Sequence, residues 1–319
     1  MTHTHQLSTG RTLPSIGLGT WKSDQPNETY NAVRSALKLG YRHFDCASGY
    51  GNEKEIGLAI HHAVSEGEVT RDELFITSKL WNAFHHPDDV QPALQRSLND
   101  LQLDYIDLYL MHWPIAIKSD VGFPEKGSDF ISLDDLPLNV TWQAMETLVK
   151  QGLTKDIGVS NFSVKKLRDV IAACSIPPAV NQVELHPYLQ QGTLVDFCRD
   201  NSICVIAYAP LGSGDRPSSL TKLDEPSLLD HPTIQRIANK HHVTEAQVLI
   251  SWHLNRGLSV IPKSSNPDRQ ALNLASLKVQ LSEEDMADIA LMDKHYRYLH
   301  GEFWVMDGSP YTLENVWDE

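Results

Sequence analysis

Cysteine is scarce in this chain. There are four in 319 residues, Cys46, Cys174, Cys198 and Cys204, and none forms a Cys-x-x-Cys pair. Their scatter does not suggest a disulfide framework, so a reducing, cytoplasmic setting is expected. Positive charge is also short: 27 Lys and Arg against 41 Asp and Glu give a formal net charge of −14. General binding to nucleic acid or to an anionic membrane needs a basic face, and this balance argues against both. It leaves room for a small anion held by a local basic cluster. No apolar run approaches the ~20 residues of a membrane helix, and no secretory apolar segment is visible. The histidine pairs His61–His62, His85–His86 and His241–His242 lack zinc-ligand spacing with cysteine, so no metal is expected. No Gly-x-Gly-x-x-Gly occurs; GLGTWK and PLGSGD both miss the spacing, which argues against a Rossmann dinucleotide site.

What is present is alternation. Hydrophobic content of 41% and charged content of 21% suit a large core. Strands are expected at 15–20, 43–47, 74–80, 106–112, 156–161, 179–185, 204–210 and 259–264. Helical patterns lie between them at 28–39, 52–65, 88–101, 140–151, 163–173, 190–201, 231–256 and 267–276. Several strands are nearly continuous in apolar residues, as strands covered on both faces should be. Eight strand–helix units favour a closed (β/α)8 barrel, a TIM barrel, spanning 1–319 as one domain; a doubly wound sheet is the alternative. HQLSTGRTLPSIG reads as a hairpin turning at Ser8–Gly10 and covering one barrel end. Residues 114–138 and 211–230 read as long loops, LSEEDMADIALMD as an extra helix, and the tail after it as aromatic and irregular.

The chemistry collects where the strands end. In HFDCASGYGNEKEIG, Asp45 closes a buried strand and Tyr50 follows in a glycine-flanked turn. Strand three delivers Lys79, strand four His112, strand five Ser160 and Asn161, strand six Gln182, strand seven Tyr208, and strand eight Lys263 and Ser264. A lone Asp, Lys or His at a strand end is more often a cap or an ion-pair partner. In a (β/α)8 barrel, however, all these ends open on one face, where active sites are built. An ammonium beside a phenol lowers the phenol's pKa, and a carboxylate keeps a buried ammonium ionised. Lys79 and Asp45 suit those two roles toward Tyr50. His112 can donate to a substrate oxygen. The expected catalytic set is therefore Asp45, Tyr50, Lys79 and His112, with Tyr50 as general acid in a carbonyl reduction. A Schiff-base role for Lys79 is the competing chemistry, but it needs a neutral lysine, which Asp45 opposes.

A hydride must come from a cofactor. Ser160, Asn161 and Gln182 could bond a carboxamide, and Tyr208 could stack on a nicotinamide. In IPKSSNPDR, Asn266 is a helix N-cap and Pro267 a first helical residue. Lys263, Ser264, Ser265 and Arg269 then surround a helix N-terminus, a natural anion site. Two cations there suit the 2′-phosphate of NADPH (NADP+), with NADH binding more weakly. Thr20 and Trp21, after strand one, and Leu211 and Ser213, in the second long loop, complete the expected cofactor lining.

The stretches GYRHFDCASGYGNEKEIG, LFITSKLWN, DLYLMHWP, GLTKDIGVSNF, PAVNQVELHPYLQQ, AYAPLGSGDRPS and VIPKSSNPDR together resemble the aldo-keto reductases, in the aldose and xylose reductase branch. The resemblance implies that Asp45, Tyr50, Lys79 and His112 form a tetrad. It implies that Ser160, Asn161, Gln182 and Tyr208 meet the nicotinamide, and that Lys263, Ser264, Arg269 and Asn273 meet the adenosine phosphate. It also implies that Lys22 and Asp215 close over the pyrophosphate. Leu272 departs from the Glu usual beside the adenine, and Gly49 from the Asp of yeast xylose reductases. Trp21, Tyr50, Trp81, His112, Trp113, Phe303 and Trp304 are the expected substrate wall, suited to apolar or aromatic aldehydes. The partner is thus a small carbonyl compound, with aldoses or ketones as further candidates, and the chain is expected to be a monomer or weak dimer. Two alternatives share the fold. One is a sugar-phosphate reductase using Lys118 and Lys126. The other is a non-catalytic subunit that senses the cofactor.

Overall fold

A computed structural model describes residues 4–23 and 25–319. An N-terminal hairpin pairs β1 (Thr4–Gln6) with β2 (Thr12–Pro14). A parallel sheet follows, built from β3 (Leu18–Gly19), β4 (His43–Asp45), β5 (Phe75–Leu80), β6 (Ile106–Met111), β9 (Thr154–Ser160), β10 (Val180–Glu184), β11 (Cys204–Tyr208) and β12 (Ser259–Val260). These strands pair in sequence order. The sheet then closes on itself through parallel bridges between Ile16 and Val260 and between Gly19 and Lys263. This is the expected (β/α)8 barrel. The seam is tight: a Cβ on Gly19 would lie 2.7 Å from the carbonyl oxygen of Ile261. Glycine in SIGLGT is what lets strand one meet strand eight.

Side-chain alternation sorts the core into two shells. On β6, Leu108 and Leu110 point into the barrel with Phe75, Val180, Ile206 and Ile261. Tyr109 and Met111 point outward to the helices. Leu7 and Leu13 of the hairpin join the inner cluster, so the hairpin plugs the N-terminal end of the barrel as expected. The opposite end is left to the loops.

The helices α1 (Glu28–Leu39), α2 (Glu53–Ser65), α3 (Pro87–Leu101), α4 (Leu138–Lys150), α5 (Val164–Ala173) and α6 (Gly192–Asp200) fall near their expected positions. The helix expected at 231–256 is two: α7 (Pro232–His241) and α8 (Glu245–Asn255). His242 is left-handed at φ 55°, and Thr244 opens a new helix by a capping box with Gln247. The Thr-x-x-Gln signal lies inside a continuous amphipathic pattern that conceals the break. Beyond it come α9 (Pro267–Ala275) and α10 (Glu283–Ala290), the latter being the expected extra helix. The segment 114–138, read as loop, contains a small antiparallel pair, β7 (Ala116–Ile117) with β8 (Phe130–Ile131). Two-residue strands are too short to show a period. The tail, read as irregular, carries a short helix α11 (Leu313–Trp317), capped by Thr312.

Several histidines are buried in this frame, His43 and His85 among them. Burial pushes His43 down to about 4, with Lys79 adding to the effect and Asp45 opposing it. Burial also pushes His85 down to about 3. Both are neutral when folded and titrate near 6.5 when unfolded, so below that pH the unfolded chain binds more protons and stability falls. Between pH 7 and 5 the unfolding free energy is expected to drop by about 2 kcal/mol per histidine, readable by urea titration. A flat profile over that range would contradict the buried, neutral assignment.

Candidate active site

The strand ends bring the four expected catalytic side chains together. Asp45 is the last residue of β4, and a short 3-10 turn over Ser48–Tyr50 returns the phenol to the same point. Lys79, on β5, is fully buried and reaches both. Its Nζ lies 2.5 Å from Asp45 Oδ1 and donates to Tyr50 OH at 3.2 Å and to the Cys46 carbonyl at 2.9 Å. Gln182 Nε2 donates to the other Asp45 oxygen at 2.6 Å. His112, just after β6, sets its ring edge-on to Tyr50, 5.8 Å between centroids. Its Nδ1 is buried without a protein partner, leaving Nε2 for the cavity.

The charges follow from this packing. Burial alone would discharge Lys79, but Asp45 and the Tyr50 phenol hold its pKa above the ordinary lysine value. Burial, with Lys79 and His85 nearby, holds His112 far below the ordinary histidine range, so it is neutral. For Tyr50 the expectation of an acidified phenol is corrected. Burial raises its pKa more than the Lys79 ammonium lowers it, and Asp45 pushes the same way as burial, so the net direction is upward. The ammonium limits the rise; in this state it does not reverse it.

Asp45, Tyr50 and His112 line one cavity of about 960 Å³, with Lys79 buried beneath them; it is large enough for a dinucleotide end and a small substrate. Thr20, Trp21, Ser160, Asn161, Gln182, Tyr208, Leu211, Ser213, Asp215, Lys263, Ser264, Ser265, Arg269 and Asn273 all line it. The polar residues on one side of it are already hydrogen-bonded into the frame. Ser160 Oγ donates to the Gln182 carbonyl at 2.8 Å, Asn161 Nδ2 to the His112 carbonyl at 3.0 Å, and Tyr208 OH to Asn161 Oδ1 at 2.7 Å. Asn161 (φ 64°), Ala209 (φ 49°) and Ser213 (φ 48°), which line the cavity, adopt left-handed backbone, as does Lys22 (φ 63°) beside it.

At the far end, Asn266 Oδ1 caps α9 by accepting from Arg269 N at 3.0 Å, with Pro267 first in the helix. The Arg269 guanidinium has no ion pair among the described residues, so a cation stands free at a helix N-terminus. The expected Lys22–Asp215 pair takes another form. Lys22 donates to the main-chain carbonyl of Asp215, while the Asp215 carboxylate faces Lys263 at 3.2 Å. The 211–230 loop nonetheless folds over the barrel face. Arg216, unremarked in the sequence, pins it by donating to the carbonyls of Gly212 and Ser213 at 2.9 Å and pairing with Glu225.

The other end of the cavity is aromatic. Trp21, Trp81, Trp113 and Phe303 line it. Trp304 also borders it but is fully buried, packed on Trp81, Trp113, Phe123 and Phe130, so its main part is to support the wall. Phe123, half exposed at 52%, and Leu299 also line the cavity and were not foreseen. Both sit in segments without periodicity, where only the fold shows which way a side chain faces.

Barrel, strand-end cluster and cavity define a class, the (β/α)8 enzymes that work at the C-terminal barrel face. Residues 15–294 match the profile of the aldo/keto reductase family. An aldo/keto reductase of Synechocystis is 54% identical over 313 residues, 98% of this chain and 95% of the relative. Aldo-keto reductase family 1 member A1 of Mus musculus is 47% identical over 92% of this chain and 90% of its own. The solved aldose reductase of Schistosoma japonicum superposes with a TM-score of 0.86 at 38% identity, covering 95% of this chain and 96% of that one. The chain belongs to the aldo/keto reductase family and is an oxidoreductase.

Gly49 shows how closely the pocket is fitted. A Cβ there would lie 2.9 Å from the Trp81 ring, which is itself tied by its Nε1 to the Gly122 carbonyl at 2.9 Å. Gly49→Asp is expected to cost about 1–3 kcal/mol through overpacking, seen as a lower melting temperature. An unchanged melting temperature would mean that Trp81 swings aside freely.

Proposed function

We propose that this enzyme reduces aldehydes to alcohols with NADPH, Tyr50 acting as general acid. The observation that carries the reading is the Tyr50 OH at 3.2 Å from Lys79 Nζ, with that ammonium locked on Asp45 at 2.5 Å and the phenol facing the cavity beside neutral His112. The nicotinamide supplies the hydride when bound. Ser160, Asn161, Gln182 and Tyr208 fit its carboxamide and ring. Gln182 spends its amide N–H on Asp45, which leaves its carbonyl oxygen for a donor. Lys263 and Arg269, at the N-terminus of α9, fit the 2′-phosphate.

In the reaction, His112 orients the substrate oxygen by hydrogen bonding. As negative charge grows on that oxygen, the Tyr50 O–H bond breaks and its proton moves there. The phenolate left behind is stabilised by the Lys79 ammonium, whose own charge Asp45 sustains. Protonation of Tyr50 in the resting state, favoured by its raised pKa, keeps the acid loaded at neutral pH.

The same geometry weighs against the alternatives. A Schiff-base lysine must be neutral and accessible, yet Lys79 is charged, fully buried and not part of the cavity lining. Lys118 and Lys126, which a sugar-phosphate reductase would use, are exposed and outside the lining. The aromatic substrate end favours apolar aldehydes over phosphorylated ones.

Tyr50→Phe is expected to lower aldehyde turnover by about 100–10,000-fold while NADPH still binds with wild-type affinity by fluorescence quenching. Near-normal turnover would take the proton-donor role from Tyr50. Lys263→Ala combined with Arg269→Ala should weaken NADPH by about 100-fold and NADH only slightly, because charge-assisted bonds to the 2′-phosphate are lost. Equal weakening of both nucleotides would show that these cations do not read that phosphate.

A further inference from the structure

One side chain is shared by the loop over the cofactor end and the wall of the substrate end. Tyr298 is 2% exposed, and its main chain is gripped from the barrel. Its N–H donates to Glu184 Oε1 at 2.6 Å, and the next N–H, of Leu299, donates to Glu184 Oε2 at 2.8 Å. Glu184 is the fully buried last residue of β10, two positions beyond Gln182. Burial opposes its charge, but the bond from His186, with Arg297 and the Leu299 N–H, keeps its pKa below the ordinary carboxylate value. A carboxylate accepting two successive backbone N–H groups fixes that stretch of chain firmly.

The Tyr298 side chain turns the other way, into the 211–230 loop. Its OH donates to the Pro226 carbonyl at 2.6 Å. Its ring lies under the Arg216 guanidinium, 5.0 Å from the centroid, and against Gly212, where a Cβ would be only 3.2 Å from the ring. Arg216 is the residue that pins the loop. The chain leaving Tyr298 carries Leu299 and Phe303 into the substrate end. A second link between the two segments, Lys222 to Glu302 at 2.7 Å, is exposed and therefore weak.

We propose that Tyr298 is a positioning residue that couples the two halves of the cavity: closure of the 211–230 loop on cofactor sets the substrate wall. This rests on the NADPH reading above. Coupling of this kind is reciprocal, so cofactor tightens substrate-site ligands by the factor by which they tighten cofactor.

The test uses the full chain and 4-nitrobenzyl alcohol, the product of an aromatic aldehyde, titrated calorimetrically with and without saturating NADP+. In the wild type NADP+ should strengthen alcohol binding. Tyr298→Phe, which removes only the bond to Pro226, should reduce that ratio by roughly 2–10-fold, the weight of one hydrogen bond. Hydrogen exchange on the wild type gives a second readout, with NADP+ expected to protect amides at 298–304 together with those at 211–230. NADP+ binding with an unchanged ratio in Tyr298→Phe, or with no protection at 298–304, overturns the coupling and leaves the reductase reading intact. A wild-type chain that binds no NADP+ overturns both.

Discussion

The contact between Lys79 and Asp45 is the constraint around which this site is arranged. An ammonium with no exposed surface is costly unless a carboxylate and further acceptors surround it. Here Asp45 and the Cys46 carbonyl do so, and Gln182 satisfies the second carboxylate oxygen from across the barrel. The pair can exist only where two parallel strands end side by side, and β4 and β5 are neighbours in the sheet. Removing either partner would leave a buried charge unpaired. A phenol placed within 3.2 Å of the ammonium then has a charged neighbour that cannot drift away.

The rest of the cavity extends from that floor. Bonds among Ser160, Asn161, Gln182 and Tyr208 hold the polar side of the cavity in place before anything binds, which lowers the ordering cost of binding. The aromatic side is held differently, by ring packing on Trp304 and by the grip of Glu184 on residues 298–299. One half is fixed by hydrogen bonds among its own side chains, the other by ring packing together with the carboxylate of Glu184.

Much of this was legible in the residues. The apolar runs marked the barrel strands, and the polar residues at their ends are the ones that gather at one face and line its cavity. Asn266 and Pro267 announced α9. The Lys22–Asp215 contact was foreseen as a pair but not in its form, because nothing in sequence distinguishes a bond to a carbonyl from one to a carboxylate. Trp304 was read as wall, yet it is buried as support, since an indole in an irregular tail has no period to show its direction. Arg216, Phe123 and Leu299 were missed for the same reason. The Tyr50 pKa went the other way because burial, a property of the whole cavity, outweighs the one neighbour that residue types could name.

Local order was therefore set by the sequence alone: strand and helix alternation, the Asn266–Pro267 start of α9, and the polar residue types at the strand ends. These depend on side-chain period and short-range hydrogen bonding, which a linear chain displays. Closure of the barrel decided everything that joins distant residues. Asp45 with Gln182, Tyr298 with Pro226 and Glu184, and the balance of burial against charge at Tyr50 are contacts across 137, 72 and 114, and 29 positions from the ammonium. Their energies depend on which groups exclude water from one another, and only the folded barrel settles that.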